Sequence, residues 1–391
     1  MILLYERIGD RMRRIIKHLD KTILIISIIL FVVGLIMVFS SSNVTAYMRH
    51  AVSPYNYFIK QAVFLLVGIV LALIMIPFNT RFYGFMSKIL FLIVGASLGI
   101  LLIIGSAQNQ AISWYDFGPF SFQPSEFIKV ITIIWLADYY EKNKKKLTSY
   151  WTSLFPIGVC MIVSCLIFIQ PDLGTTIIYS LIVGFIFLAV PIAKEIKVKT
   201  VVSVVGIALL AGFLLISSGK QIILSRQMER LNFTRPCDRL LTTGNQVCNG
   251  YIAINNGGLF GKGLGNSTQK YLYLPEPYTD FIFTIIVEEL GAVAGIVIIL
   301  LYLVLIAKIL IVGKRSYTNR GSVICYGTAI YIFLHIAVNL LGIFGLMPMT
   351  GVPLPFMSYG GSFTICLIAA LTAVQRVSVE TGLKNTMESK S

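Results

Sequence analysis

The sequence predicts an all-α polytopic membrane protein of about ten transmembrane helices, with a large extracellular loop between helices 7 and 8. Three observations carry this. Of 391 residues, 57% are hydrophobic and only 13% charged, about half the charged share of a typical soluble domain. Apolar runs long enough to cross the hydrocarbon recur along the chain, and a span satisfies its backbone internally only as a helix or a closed barrel. The alternating pattern of a membrane barrel is absent. Lastly, the basic residues divide unevenly between the two sides.

The candidate spans are 22–40, 58–77, 85–105, 125–140, 153–170, 173–191, 200–218, 281–307, 322–345 and 363–376. The first is too long for the core of a cleavable signal and lacks a small-x-small site, so it reads as a retained span. Pro171 and Gly174 place a tight outward turn between the fifth and sixth spans. Ten spans put both termini on one side. That side collects Arg7, Arg11, Arg13, Arg14, Lys17 and Lys21, the run Lys142 to Lys146, and the clusters at 194–199 and 308–320. The short loops of the other side hold only Arg49. Short loops set orientation, so residues 1–21 and the tail 377–391 are expected in the cytoplasm and 219–280 outside, all within a single membrane domain. The run at 142–146 is then an orientation signal. The net charge of +15 is topological too, and with no soluble basic domain a nucleic-acid partner is excluded. No internal repeat appears, and the breaks at 170–174 and 346–362 are dissimilar, which argues against an inverted-repeat transporter.

Three outward segments carry more polar chemistry than connection requires. In 106–129, Gln123 is placed to cap the next helix, Pro124 suits its first position and Glu126 sits three residues after the cap. Lys129 lies one turn beyond Glu126, and a charge pair so close to hydrocarbon calls for a cavity; a cap with a snorkelling lysine is the simpler alternative. Trp114 is either an interfacial anchor or a site residue.

The second segment is the loop 219–280. At 222–233, Arg226 and Arg230 stand four apart among apolar residues, as in an interfacial helix. The stretch 255–267 resembles a phosphate loop but fails as one: Gly263 follows Lys262 where Ser or Thr is needed, and no strand precedes it. The loop closes on Glu276 and Asp280, with Glu288 and Glu289 about 12 Å deeper at the helical rise. A carboxylate at an apolar boundary has a raised pKa and suits general-base work; helix capping is the structural alternative for Asp280. The third segment, 346–363, has three prolines and puts non-helical backbone at membrane depth, tolerated only inside protein or along a wet cavity. Cys160, Cys165, Cys325 and Cys366 fall in spans as packing residues. Cys237 and Cys248, the only pair in an outward loop, are the disulfide candidates in an oxidising compartment.

These segments resemble the SEDS family (shape, elongation, division and sporulation), the membrane peptidoglycan glycosyltransferases of the FtsW/RodA type. The likeness runs from Gly34-Leu35-Ile36-Met37-Val38-Phe39-Ser40-Ser41-Ser42 to Ser358-Tyr359-Gly360-Gly361-Ser362. It is most specific at 120–127, at 170–175 and from Gly265 to Glu289. It implies a ten-helix fold with cytoplasmic termini in the bacterial cell membrane. It also implies polymerisation of lipid II, the undecaprenyl-pyrophosphate-linked disaccharide peptide, on the outer face. The implied partners are a class B penicillin-binding protein that crosslinks the strands and other divisome proteins. By motif position Asp280 matches the essential Asp, Trp114 the loop Trp, and Glu126 and Lys129 the charged pair lining the cavity.

Two residues depart from the family pattern: Tyr278 stands where His usually precedes Thr-Asp-Phe, and Ile112 and Ser113 precede Trp114 where Arg is common. Arg226, Arg230, Arg235 or Arg239 would then supply the missing cation. The segment 265–270 leans toward the division type and 349–355 toward the elongation type, with division and a septal location favoured. In the expected mechanism Asp280 is the catalytic base. Trp114, Glu126, Lys129, Glu276, Arg226, Arg230, Glu288 and Ser358 face substrate. A divalent cation, Mg or Mn, is the one candidate cofactor. A lipid II flippase without chemistry and a division scaffold remain the rival readings.

Overall fold

The computed structural model describes residues 12–104, 106–108, 111–118, 120–217, 235–239, 244–271 and 273–389. Arg226, Arg230 and the interfacial helix expected at 222–233 lie outside the described residues. The long helices are α1 (Lys21–His50), α2 (Asn56–Met75), α3 (Thr80–Ile104), α4 (Pro124–Lys142), α5 (Tyr150–Ile169), α6 (Leu173–Ala189) and α7 (Lys194–Ser217). After a short α8 (Asn245–Gly257) come α9 (Ile282–Arg315), α10 (Asn319–Ile343) and α11 (Gly361–Glu388). Apart from α8, each overlaps one expected span. Among the described residues seven are long and apolar enough to cross a membrane by length and composition. The other three are α4, α6 and α7: α4 carries Glu126, Lys129 and Asp138 in its interior, and α6 is a shorter apolar helix.

Helix starts follow local chemistry. The carboxylates of Asp20 and Asp172 accept from the Ile23 and Thr175 amides, each at 3.0 Å, and the Thr318 hydroxyl accepts from Gly321. The capping box expected at α4 does not form. Gln123 holds the N-cap position without a side-chain cap bond, and the Glu126 side chain turns inward to Lys129. Three helices overrun expectation: α1 continues to His50, α9 continues to Arg315, and α11 runs through Glu388, so the expected tail is helical as far as that residue. The outward segment after α3 folds into a small antiparallel sheet, β1 (Ser106–Gln108), β2 (Ala111–Asp116) and β3 (Ser121–Phe122), in that order. Nothing in its composition announced strands.

The interior is built on α4, α10 and α11. In α11, 83% of the most apolar stretch is buried, against 11% in α2. Helix α2 therefore presents its apolar surface to lipid, while α11 is walled in by protein. Helix α9 breaks at Gly291 (φ 89°, ψ 166°), and the loop after α8 closes onto the break. The amides of Lys262 and Gly263 donate to the carbonyls of Glu288 and Glu289, and those of Ala292 and Val293 donate to Gly258 and Leu259. A Cβ on Gly291 would collide with the Leu259 carbonyl. The glycine-rich stretch at 257–265 is thus a close backbone approach that satisfies the groups freed by the kink. A disulfide joins Cys237 to Cys248 across 5.0 Å between Cα atoms, tying the turn Pro236–Arg239 to α8. Cys160, Cys325 and Cys366 are buried as packing residues, but Cys165 is exposed.

Candidate active site

From Val352 onward the loop 346–360 sits inside the protein, and several of its polar groups find partners there. Tyr302 donates to the Pro355 carbonyl. Asn339 Nδ2 donates to the Val352 carbonyl at 2.8 Å, and Gln61 Oε1 accepts from the Gly360 amide at 3.2 Å. Gly34 of α1 leaves room for the Phe356 carbonyl, where any side chain would collide. Non-helical backbone at this depth is tolerable because the protein supplies these partners.

This loop grips the segment that carries Asp280. Ser358 Oγ accepts from the Leu354 amide at 2.8 Å and donates to the Thr279 carbonyl at 2.6 Å. The Tyr359 amide donates to the Tyr278 carbonyl at 2.9 Å, and Asn339 Nδ2 reaches the Asp280 carbonyl at 2.8 Å. Residues 278–280 are therefore held at consecutive carbonyls. The Asp280 carboxylate accepts from Thr279 Oγ1 at 3.0 Å and stays partly accessible. The N-cap of α9 falls on Phe281, without a side-chain cap bond, rather than on Asp280.

Beside it three tyrosines form a cluster. The ring of Tyr278 lies 4.5 Å from that of Tyr57 and 5.8 Å from that of Tyr359. Burial pushes the Tyr278 hydroxyl far above its ordinary range, and the Glu276 charge adds to that, so it stays a neutral hydrogen-bond donor. Burial also raises the Glu276 carboxyl, while the hydrogen bond from Tyr278 and the charge of Arg49 pull it part of the way back. Arg49 Nη1 donates to the Pro275 carbonyl at 2.8 Å. In the sequence Arg49 showed only as the one basic residue in the short outward loops. That anomaly was the available signal that it belongs to a site.

A second polar group lies in the interior. Lys129 Nζ bonds Glu126 Oε1 at 2.8 Å and His335 Nε2 at 3.0 Å, and all three residues are buried. His335 sits one helical turn before Asn339 on α10, so one helix face carries both the imidazole of this triad and the amide that holds Asp280. Glu126 Oε2 and Asn339 Oδ1 are buried without a hydrogen-bond partner, as expected of a polar recess with room for water or a further ligand. His335 and Asn339 escaped sequence reasoning because a lone His or Asn in an apolar run is ordinarily a packing residue. Trp114, half-buried, lies on β2 opposite Ser106, and β2 packs against α3 and α4.

Glu288, expected to face substrate, instead anchors the loop. It is fully buried, accepting from Ser267 Oγ at 2.5 Å, Thr268 Oγ1 at 2.7 Å and the Thr268 amide at 3.1 Å. Glu289 accepts from Ser40 Oγ at 2.6 Å and pairs with the buried Lys270 at 2.9 Å. The segment 265–270 is thus a clasp around two adjacent carboxylates, and it ties Ser40 of α1 to α9.

Comparison with known proteins agrees with this architecture. A family model described as cell cycle protein FTSW_RODA_SPOVE matches residues 20–383. The chain is 32% identical over 372 residues to "Probable peptidoglycan glycosyltransferase FtsW" of Bacillus subtilis, covering 94% of this chain and 92% of that one. It is 33% identical over 364 residues to "Stage V sporulation protein E" of the same organism, covering 92% and 96%. Among solved structures, one described as "Structural coordination of polymerization and crosslinking by a peptidoglycan synthase complex" superposes with a TM-score of 0.72 at 23% identity, covering 92% of this chain and 97% of that one. The Rod shape determining protein RodA of Thermus thermophilus superposes with a TM-score of 0.64 at 23% identity, covering 92% and 96%.

Proposed function

The chain belongs to the FtsW, RodA and SpoVE family of membrane proteins, and we propose that it is a peptidoglycan glycosyltransferase polymerising lipid II on the outer face of the cytoplasmic membrane, in septal wall synthesis. The names of its FtsW relatives support the activity and the division role. The observation that carries the reading is Asp280: a partly accessible carboxylate whose own backbone and that of its two predecessors are clamped by Asn339, Ser358 and Tyr359. A base must be held in register with its substrate, and such clamping meets that demand.

The 4-hydroxyl of one lipid II attacks the anomeric carbon of a lipid-linked strand. Its proton passes to Asp280, a new glycosidic C–O bond forms, and the bond from that carbon to the pyrophosphate oxygen breaks. Undecaprenyl pyrophosphate leaves with the electron pair. Arg49, with Arg226 and Arg230 from the outer loop, supplies positive charge for it. Among the described residues no three His, Cys, Asp or Glu side chains converge on one point. A Mg or Mn ion here would take Asp280 or Glu276 and complete its shell from water and the pyrophosphate, whose charge it would neutralise. The strands pass to a class B penicillin-binding protein. The solved complex whose description pairs polymerization with crosslinking supports that partnership.

The test is polymerisation of lipid II in detergent by purified protein, with and without its partner. Asp280→Asn keeps the size and polarity of the side chain but takes no proton, so activity should fall by about 10²–10⁴-fold while membrane abundance and partner binding persist. Near-normal glycan synthesis by the variant would remove Asp280 from the mechanism. Absence of glycan from the wild type with its partner, together with lipid II transport in vesicles, would establish the flippase reading instead.

A further inference from the structure

At the end of the bundle opposite Asp280, the starts of α3 and α10 meet the ends of α4 and α11 around a cavity of about 690 Å³. Its lining holds five cations, Arg81, Lys142, Arg320, Arg376 and Lys384, against two carboxylates. Those carboxylates already act as anions toward helix starts. Glu380 accepts from the Thr80 amide at 2.6 Å and its hydroxyl at 2.8 Å, and Glu141 accepts from the Arg320 amide at 3.3 Å. The site is thus built to receive acceptor oxygens at two helix N-termini.

The cations are only partly used. Asp138, behind the wall, takes Arg320 Nη2 at 2.9 Å and Lys142 at 2.7 Å, while Glu380 takes Arg376 at 3.2 Å. Arg320 is 6% exposed, yet its Nε has no hydrogen-bond partner. A buried guanidinium donor left open beside a cavity is costly unless an acceptor arrives. Arg81 and Lys384 are exposed at the mouth; Lys384 lies over the Tyr317 ring, 5.2 Å from its centroid, and makes a solvent-exposed pair with Glu388 at 3.4 Å. Apolar surface adjoins them: Phe78 and Phe82, stacked at 4.6 Å, are exposed on either side of Arg81.

We propose that this cavity binds a phosphate group, with Arg320 Nε, Arg81 and Lys384 as its donors. Two sources share that chemistry: the head group of an anionic phospholipid in the leaflet opposite Asp280, and a soluble phosphate. The exposed phenylalanines favour the lipid, since they offer its chains a surface where the cations hold its head.

The experiment uses the full chain in phosphatidylcholine nanodiscs doped with phosphatidylglycerol, with retained lipid read by native mass spectrometry. Inorganic phosphate is titrated separately by calorimetry. Phosphatidylglycerol should be retained over phosphatidylcholine, and Arg81→Gln with Lys384→Gln should weaken that retention by about 30-fold. Both positions are exposed, so the double variant should fold and still polymerise lipid II in detergent. Binding of inorganic phosphate by the wild type and not the variant, without lipid preference, would assign the site to a soluble ligand. Equal retention of both lipids with no phosphate binding would overturn the proposal, as would undiminished phosphatidylglycerol retention by the double variant.

Discussion

Glu276 and Tyr278 show how single residues shape the site around Asp280. At the position where the family resemblance implied His, this chain places a phenol that burial keeps neutral, so the position donates a hydrogen bond but does not shuttle a proton near neutral pH. Its acceptor is Glu276, whose carboxyl burial holds above the ordinary value of 4.5. The sign of the stability effect follows. Between the ordinary value and the raised one, the folded protein binds more protons than the unfolded chain, so stability falls as pH rises through that window and levels off above it. Glu276→Gln should remove this dependence, leaving melting temperature flatter than in the wild type as pH rises from 4.5. A wild-type profile already flat there would show that Glu276 is not held in its neutral form. In the polymerisation assay the same variant should lose activity mildly, as a positioning residue does; total loss would make Glu276 the base in place of Asp280.

Helix α9 is the element on which the outer loop depends. Its first turns bury Glu288 and Glu289, and its break at Gly291 opens carbonyls and amides that the 257–265 loop then fills. The backbone angles at Gly291 belong to a region essentially reserved for glycine, where strain alone costs about 1–3 kcal/mol for other residues. Gly291→Ala should therefore lower stability by at least that amount and loosen the clasp at 265–270. Gly184→Ala on α6, where nothing lies within 4 Å, should be neutral or stabilising by about 0.5–1 kcal/mol. Thermal unfolding in detergent distinguishes them, and equal melting temperatures for the two variants would mean that the kink is not fixed by contact. The sequence showed the two carboxylates and the glycines but not that they meet. Pairing Glu288 with Ser267 and Thr268, and Glu289 with Lys270 and Ser40, is long-range, and neither hydrophobic period nor local spacing records it. Asp280 was legible for the opposite reason: a carboxylate at the edge of an apolar run stands out without knowledge of its neighbours.

At the scale of the whole molecule, the long helices were readable because an apolar run is a local property, and among the described residues seven of the ten meet the length and apolarity of a span outright. The small sheet at 106–122 was not, since its strands are short and rely on α3, α4 and α11 for support. Orientation rests on a global asymmetry of charge, and the fold sharpens what it demands. Asn255 on α8 and Lys145 after α4 are both exposed, and they belong to connections at opposite ends of the bundle. By the positive-inside rule, the excess of Lys and Arg at the Lys145 end predicts that this end faces the cytoplasm. A cysteine at 255 should then react with a membrane-impermeant maleimide applied to intact cells, and a cysteine at 145 should react only after the membrane is opened. The native Cys237–Cys248 bond keeps those two sulfurs out of the reaction, and Cys160, Cys325 and Cys366 are buried. The exposed Cys165 lies within α5, so replacing it with Ser gives a silent background. Labelling at 145 and not at 255 would turn the protein over, putting Asp280 on the cytoplasmic side. Polymerisation on the outer face would then be impossible for this carboxylate, whatever its activity in detergent.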